Sequence, residues 1–229
     1  MILLNDYGVF NSSYGSSIKN IKLSKYGKCD VIIKEATELT KIQIDEDNPN
    51  YILQDDILFS KDMKTLYFYS RWKSNTTYTI PNEVETIGNY AFRNCNNLIK
   101  VEMSNSITQI GSEAFRECSN LKEIKLSENL KEISISMFMS CIKLEVLNLP
   151  NSIETIRGGA FYNCEALKNI FIPNSIITIF EEGKISSNAN RNSTFGGCDN
   201  LLVTVESGST LQLSDFTDAG LEKSQVIFE

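Results

Sequence analysis

A cysteine stands at positions 95, 118, 141 and 164, and the same interval of 23 residues governs everything around it. Phe92, Phe115, Phe138 and Phe161 keep that spacing, as do Leu98, Leu121, Leu144 and Leu167. A second apolar pair, Ile107 with Ile110, recurs as Leu130 with Ile133, then as Ile153 with Ile156. The unit reads A-F-x-x-C-x-x-L-x-x-I-x-L-x-x-x-I-x-x-I-G. A fixed period of this length marks one structural unit used repeatedly, each copy burying its apolar side only by stacking on the next. A chain so built folds as an elongated array.

Spacing inside the unit sets the shape of one coil. L-x-x-I-x-L ends in alternation and predicts a short strand with one buried face. A Pro/Asn/Ser turn such as LPNS (149–152) or IPNS (172–175) follows, and I-x-x-I-G runs back along the opposite side. The A-F-x-x-C piece closes the coil, and its i, i+3 spacing predicts a helical turn. Successive coils stack at about 4.8 Å, which sets each cysteine above the last. That distance is within disulfide reach, but side chains of stacked equivalents point the same way and suit the S–S dihedral badly. No cation in the motif lowers a thiol pKa. The row Cys95, Cys118, Cys141, Cys164 is expected to be a ladder of buried free thiols, beside the matching row of phenylalanines.

The periodicity frays at both ends. SIKNIKLS (17–24) and ELTKIQID (38–45) carry the strand pattern, so 1–37 reads as an N-terminal cap and first coil. Over 38–79 lie irregular repeats in which ILFSKDMKTLYFY alternates on both sides of a turn and predicts a hairpin. Regular repeats fill 80–179. Phe195 and Cys198 restore the ladders 34 residues after their predecessors, so 180–193 is a polar loop insertion, and 194–229 gives a last repeat and C-terminal cap. The reading is a single domain over 1–229.

Composition narrows the chemistry. The chain has no histidine, so it holds no Ser-His-Asp or Cys-His pair and no His-containing zinc site. No C-x-x-C and no phosphate-binding glycine motif occurs. An enzyme here would rest on carboxylates alone, and the repeat supplies no convergent pair, so neither catalysis nor a cofactor is expected. A net charge of −7 and a pI near 4.9 argue against nucleic acid as partner. No apolar stretch reaches membrane-spanning length, and MILL is interrupted by Asn5 and Asp6 before a signal peptide can form. DEDNPN (45–50) lacks the spacing of a calcium loop and reads as a solvated turn. N-x-[ST] occurs at Asn11, Asn75 and Asn192, in loops. The single tryptophan, Trp72, is expected to pack at the end of the hairpin, with a contact role as the alternative.

IPNEVETIGNYAFRNCNNLIKVEM and its copies resemble the BspA-like leucine-rich repeats, whose pattern is IGxxAFxxCxxLxxIxLPxS. DEDNPNYILQDDILFSKDMKTLYFY is similar to the hairpin segment near the start of such arrays, and VESGSTLQL to their capping region. Departures are Met137 for Ala, and Arg157 and Phe180 for Gly. The resemblance implies an α/β leucine-rich-repeat solenoid, right-handed, of short stacked parallel strands with little helix. It further implies a non-enzymatic, protein-binding module of surface or secreted proteins that take part in adhesion.

In such solenoids the strand face is concave, and its outward residues are the x positions of L-x-x-I-x-L. One outward row is Lys100, Glu123, Val146, Asn169, and the next is Glu102, Lys125, Asn148, Phe171. The first two coils pair opposite charges, and the next two place uncharged and apolar residues outward. Val146, Asn148, Asn169 and Phe171 are therefore the expected contact site for a protein partner, flanked by the 180–193 insertion. Packing of Phe171 under that insertion is the competing reading of the same residue. Two function classes follow, an extracellular adhesion module and an intracellular scaffold using the same face.

Overall fold

The computed structural model describes residues 2–4, 18–27, 29, 38–179 and 193–229. The expected cap over 1–37 lies largely outside the described residues, as do the 180–193 insertion (Ser193 apart), Asn11, Phe180 and Asn192. The chain runs β1 (Ile2–Leu4), β2 (Asn20–Leu23), β3 (Lys41–Ile44), β4 (Tyr51–Gln54), β5 (Ile57–Ser60) and β6 (Thr65–Tyr69). It continues through β7 (Thr77–Thr79), β8 (Thr86–Ile87), β9 (Lys100–Glu102), β10 (Gln109–Ile110), β11 (Glu123–Lys125) and β12 (Glu132–Ile133). It finishes with β13 (Val146–Leu147), β14 (Thr155–Ile156), β15 (Asn169–Ile172), β16 (Thr178–Ile179), β17 (Leu202–Val205), α1 (Leu213–Asp218) and β18 (Val226–Phe228).

Each regular coil contributes one strand to each of two sides. The strands from L-x-x-I-x-L and their equivalents form parallel ladders β7-β9-β11-β13 and β15-β17, the latter extended by β18 of the cap, with β1-β2-β3 at the other end of the chain. The return segments I-x-x-I pair as β6-β8-β10 and β12-β14-β16 on the opposite side. Register follows the sequence period, with Lys100 opposite Glu123 and Glu123 opposite Val146. The fold is thus the expected solenoid of stacked, short parallel strands.

The corner A-F-x-x-C differs from its expected form. It is not helical. The N–H groups of Tyr90, Phe92 and Asn94 point out of the coil, donating to the carbonyls of Ser112, Ala114 and Arg116 in the next one (3.1, 2.8 and 2.9 Å). Sending every second N–H the same way in so tight a corner needs left-handed residues. They recur with the period: Tyr90 and Asn94 (φ 60° and 61°), Glu113 and Glu117 (56° and 61°), Ser136 and Ser140 (49° and 60°), Gly159 and Asn163 (68° and 61°). Non-glycine residues enter that region at a cost, which the inter-coil bonds offset. An apolar i, i+3 spacing reads the same for a helix and for this corner, so the pattern alone gave the wrong local conformation.

Inside the corner the two ladders form. The rings of Phe92, Phe115, Phe138, Phe161 and Phe195 stack in sequence at centroid distances of 4.8, 5.8, 5.9 and 5.5 Å, all fully buried. Cys95, Cys118, Cys141, Cys164 and Cys198 are free and buried. Their thiols are more than small fillers: Cys118 Sγ donates to the Phe92 carbonyl at 2.9 Å. Cys141, Cys164 and Cys198 repeat the bond to Phe115, Phe138 and Phe161 at 3.1 Å. Burial pushes the Cys118 and Cys198 thiols up to about 12 and raises Cys95, Cys141 and Cys164 well above the ordinary thiol value.

The hairpin coil departs from this plan. β4, β5 and β6 form an antiparallel meander, with Asp55 and Asp56 both left-handed (φ 49° and 57°) in the two-residue turn joining β4 to β5. Two aspartates between alternating runs were a legible signal for that turn. The meander divides the interior. Tyr51, Leu58 and Phe68 face a core with Ile18, Ile21, Leu23, Leu39 and Ile42, whereas Ile57, Phe59, Leu66 and Tyr69 face the core of the regular coils. β6 then joins the array as a parallel neighbour of β8, and Tyr69 stacks on Phe92 at 5.1 Å to head the aromatic row. At the far end α1 buries Phe216, Ala219 and Leu221 follow it inward, and β18 pairs with β17.

Candidate functional site

The outward positions of the strand ladder carry a charge pattern that stops part-way. Lys100 Nζ lies 2.9 Å from Glu123 and 3.1 Å from Glu102, and Lys122 pairs with Glu145 at 3.3 Å. Hydrogen bonding to Glu123, then to Glu102, holds the Lys100 ammonium above its ordinary value. Lys125 stands in register with Glu102, yet the carboxylate is engaged by Lys100 on its own strand. These exposed pairs neutralise one another and add little to stability.

Beyond them the outward strand positions of the next two coils carry no charge. Val146 is 50% exposed and Phe171 45%, with Asn148 and Asn169 also exposed. The structure divides these four residues into two pairs. Val146 and Asn148 line a shallow concavity of about 490 Å³ together with Glu123, Lys125, Pro150 and Asn151. Asn169 and Phe171 sit on the next coil, and β13 and β15 belong to different hydrogen-bonded ladders. Coil-to-coil bonding at this level persists at the corner instead, where Phe138 N and Ser140 N donate to Ala160 and Tyr162 (both 2.8 Å). Phe171 is in register with Thr204 of β17 and, through it, with Ile227 of β18, itself 45% exposed. Ile227 therefore belongs to the same outward row. VIFE carries no apolar/polar alternation, so the row is visible only once β18 is known to pair with β17.

Other candidates resolve differently. In 45–50 the organising residue is Asn48, fully buried: its Nδ2 donates to the Ser24 carbonyl at 2.8 Å, and its Oδ1 accepts from Asn50 N and Tyr51 N (2.9 and 3.1 Å). Asp45 accepts from Asp47 N at 3.2 Å, closing a turn. Asn75 is exposed. Arg157 in place of glycine reaches Glu132 through Nε and Nη2, both at 2.7 Å. Met137 in place of alanine is fully buried. Trp72 is not packed at the hairpin end; it is 73% exposed. Among the described residues no group of three His, Cys, Asp or Glu is placed to hold a metal ion, and no helix is long and apolar enough to cross a membrane.

The sequence profile described as the BspA type leucine rich repeat region matches residues 61–194 in 6 copies. The chain belongs to the BspA-type leucine-rich repeat family. Among solved structures it is similar to a leucine rich cell surface protein from Faecalibacterium prausnitzii, at 32% identity and a TM-score of 0.68 over 82% of this chain and 47% of that one. A leucine-rich repeat protein from Eubacterium ventriosum shares the fold at 23% identity and a TM-score of 0.59, over 86% of this chain and 60% of that one. So does the pneumococcal vaccine antigen PcpA, at 22% identity and 0.62, over 93% and 56%. The chain spans about half to three-fifths of the length of these three proteins. No curated protein matches it.

Proposed function

We propose that this chain is a non-enzymatic protein-binding module, acting as one unit over 1–229, and that it serves adhesion at a cell surface. The observation that carries the reading is the change along the strand face from self-paired charges at Lys100, Glu102 and Glu123 to exposed Val146 and Phe171 on successive coils. Apolar side chains held outward on stacked strands add nothing to folding, whereas an aromatic anchor at an interface contributes about 2 kcal/mol or more. The partner docks on Val146, Asn148, Asn169 and Phe171, with Ile227 extending the row. The cell-surface assignment leans on the surface protein from F. prausnitzii, which shares 32% of aligned residues with this BspA-type chain.

Capture of surface proteins by the immobilised chain, compared between wild type, Phe171→Asp and Lys125→Asp, tests the site. Phe171→Asp is expected to lower capture at least tenfold with an unchanged melting temperature, and Lys125→Asp less than twofold. Equal loss in both variants, or unfolding of Phe171→Asp, overturns the assignment.

A further inference from the structure

Residue 72 stands 23 positions before Cys95, where the regular coils bury a thiol, and it is the chain's single tryptophan, 73% exposed. The cause lies one residue earlier. In the regular coil the backbone N–H of Asn94 donates to the Arg116 carbonyl at 2.9 Å; in the hairpin coil the Nε of Arg71 takes the equivalent Arg93 carbonyl at 2.8 Å. A guanidinium thus occupies the place of backbone, and residue 72 is carried outside. The segment that carries it is fixed. Ser70 Oγ donates to the Thr40 carbonyl (2.9 Å), Lys73 Nζ to the Asp55 carbonyl (2.7 Å), and Asn97 Nδ2 to the Lys73 carbonyl (2.9 Å). An indole presented to water on a pinned support contributes nothing to the core.

The ring separates two shallow concavities of about 450 and 300 Å³ that share it and Thr40. Among the described residues Trp72 is the one apolar side chain lining either. Beside it the amides of three asparagines retain bonding capacity. Among the described residues Asn94 makes no side-chain hydrogen bond, Asn96 uses only its Oδ1 (toward Ser119), and Asn97 only its Nδ2. A flat apolar face ringed by amides suits a pyranose, whose C–H groups cover one face while hydroxyls that both donate and accept project from its edge. A peptide anchor would instead find further apolar side chains around the ring. Glu38 and Asp56 share these linings with Arg71, Lys41 and Lys73, a balance of charge that suits a sugar carrying none.

We propose that Trp72, Asn94, Asn96 and Asn97 bind a neutral oligosaccharide, one pyranose stacked on the indole and its neighbours extending into the two flanking concavities. As the only tryptophan, Trp72 reports on this site alone. The whole chain is titrated with cellohexaose, mannohexaose, laminarihexaose and chitohexaose while indole emission is followed. At least one is expected to shift the emission saturably, with a Kd between about 10 µM and 1 mM, and to bind at least tenfold more tightly than its monosaccharide. Asn94→Asp, which keeps a residue tolerant of the left-handed corner but removes the amide donor, should weaken that binding at least fivefold at an unchanged melting temperature, and Trp72→Ala should abolish its calorimetric heat. Absence of a saturable shift with all four sugars overturns the proposal. So does a protein captured by wild type and lost in Trp72→Ala while the sugars leave emission unchanged. Phe171→Asp should leave the sugar titration intact, so this site and the strand-face site fail separately.

Discussion

The regular coils and the hairpin coil carry equivalent residues to opposite fates. At Cys95, Cys118, Cys141 and Cys164 the position is sealed, its donor spent on a carbonyl of the preceding coil. At Trp72 the same position faces water. The aromatic row crosses from one region to the other without interruption, since Tyr69 N donates to Ala91 just as Phe92 N donates to Ala114 (both 2.8 Å). The divergence therefore begins at a single exchange, the Arg71 side chain for a backbone N–H. A repeat fixes which backbone atoms meet, and one long polar side chain at the corner suffices to turn an interior position into surface.

The largest effect expected to separate the two regions is alkaline unfolding. Burial raises the thiols of Cys95, Cys118, Cys141, Cys164 and Cys198 above the 9.0 of an exposed cysteine. Above that pH the unfolded chain loses thiol protons that the folded chain keeps. Their contribution is whole below about pH 9 and falls as pH climbs through the raised thiol values, about 12 for Cys118 and Cys198. Each thiol lowers stability by about 1.4 kcal/mol per pH unit in that window, and five together exhaust an ordinary domain's stability of about 5–15 kcal/mol. Thiolate absorbance should rise together with loss of the array's circular dichroism near pH 10–11; thiolate forming in protein that stays folded would show the thiols are not sealed.

Cavity variants come next. Phe138→Ala, with stacked rings on both sides, should cost about 3–5 kcal/mol in denaturant unfolding and lower the protection of coils on either side. Phe68→Ala removes a comparable ring from the other core. Hydrogen exchange should quicken over 18–27 and 38–44 and remain slow at Val101, Ile124 and Ile170. Equal quickening in both regions would mean the meander does not divide the interior. A smaller effect belongs to Cys118→Ala, about 1–2 kcal/mol, for lost packing and a lost thiol donor; Cys118→Ser keeps a donor for the Phe92 carbonyl and should cost less. Smallest is Trp72→Ala, expected within about 0.5 kcal/mol of wild type by thermal melts. A larger loss there would return the indole to a structural role.

How much of this was legible in the sequence follows from the same contrast. Strand placement, the phenylalanine and cysteine rows, and the hairpin at 57–69 could be read because equivalent residues share one environment and alternation marks a buried face. The corner conformation could not, since the spacing of Ala91, Phe92 and Cys95 is silent on which way the N–H groups point. Nor could the exposure of Trp72, because the period itself predicts an inward residue there. At the candidate face the outward row was legible, but its division between β13 and β15 depends on backbone pairing that side-chain type does not encode.

The thiol row has a consequence beyond packing. While the coils remain stacked, each sulfur is committed to a neighbour's carbonyl and shut away from oxidants. A coil that opens in an oxidising medium releases a thiol with another only 23 residues along the chain, and the two can cross-link before the stack re-forms. Such a bridge joins positions whose side chains stand parallel in the folded array, so it bars the way back. In those surroundings the lifetime of the molecule is set by how rarely its coils part, and the accumulated cross-links record each time they did.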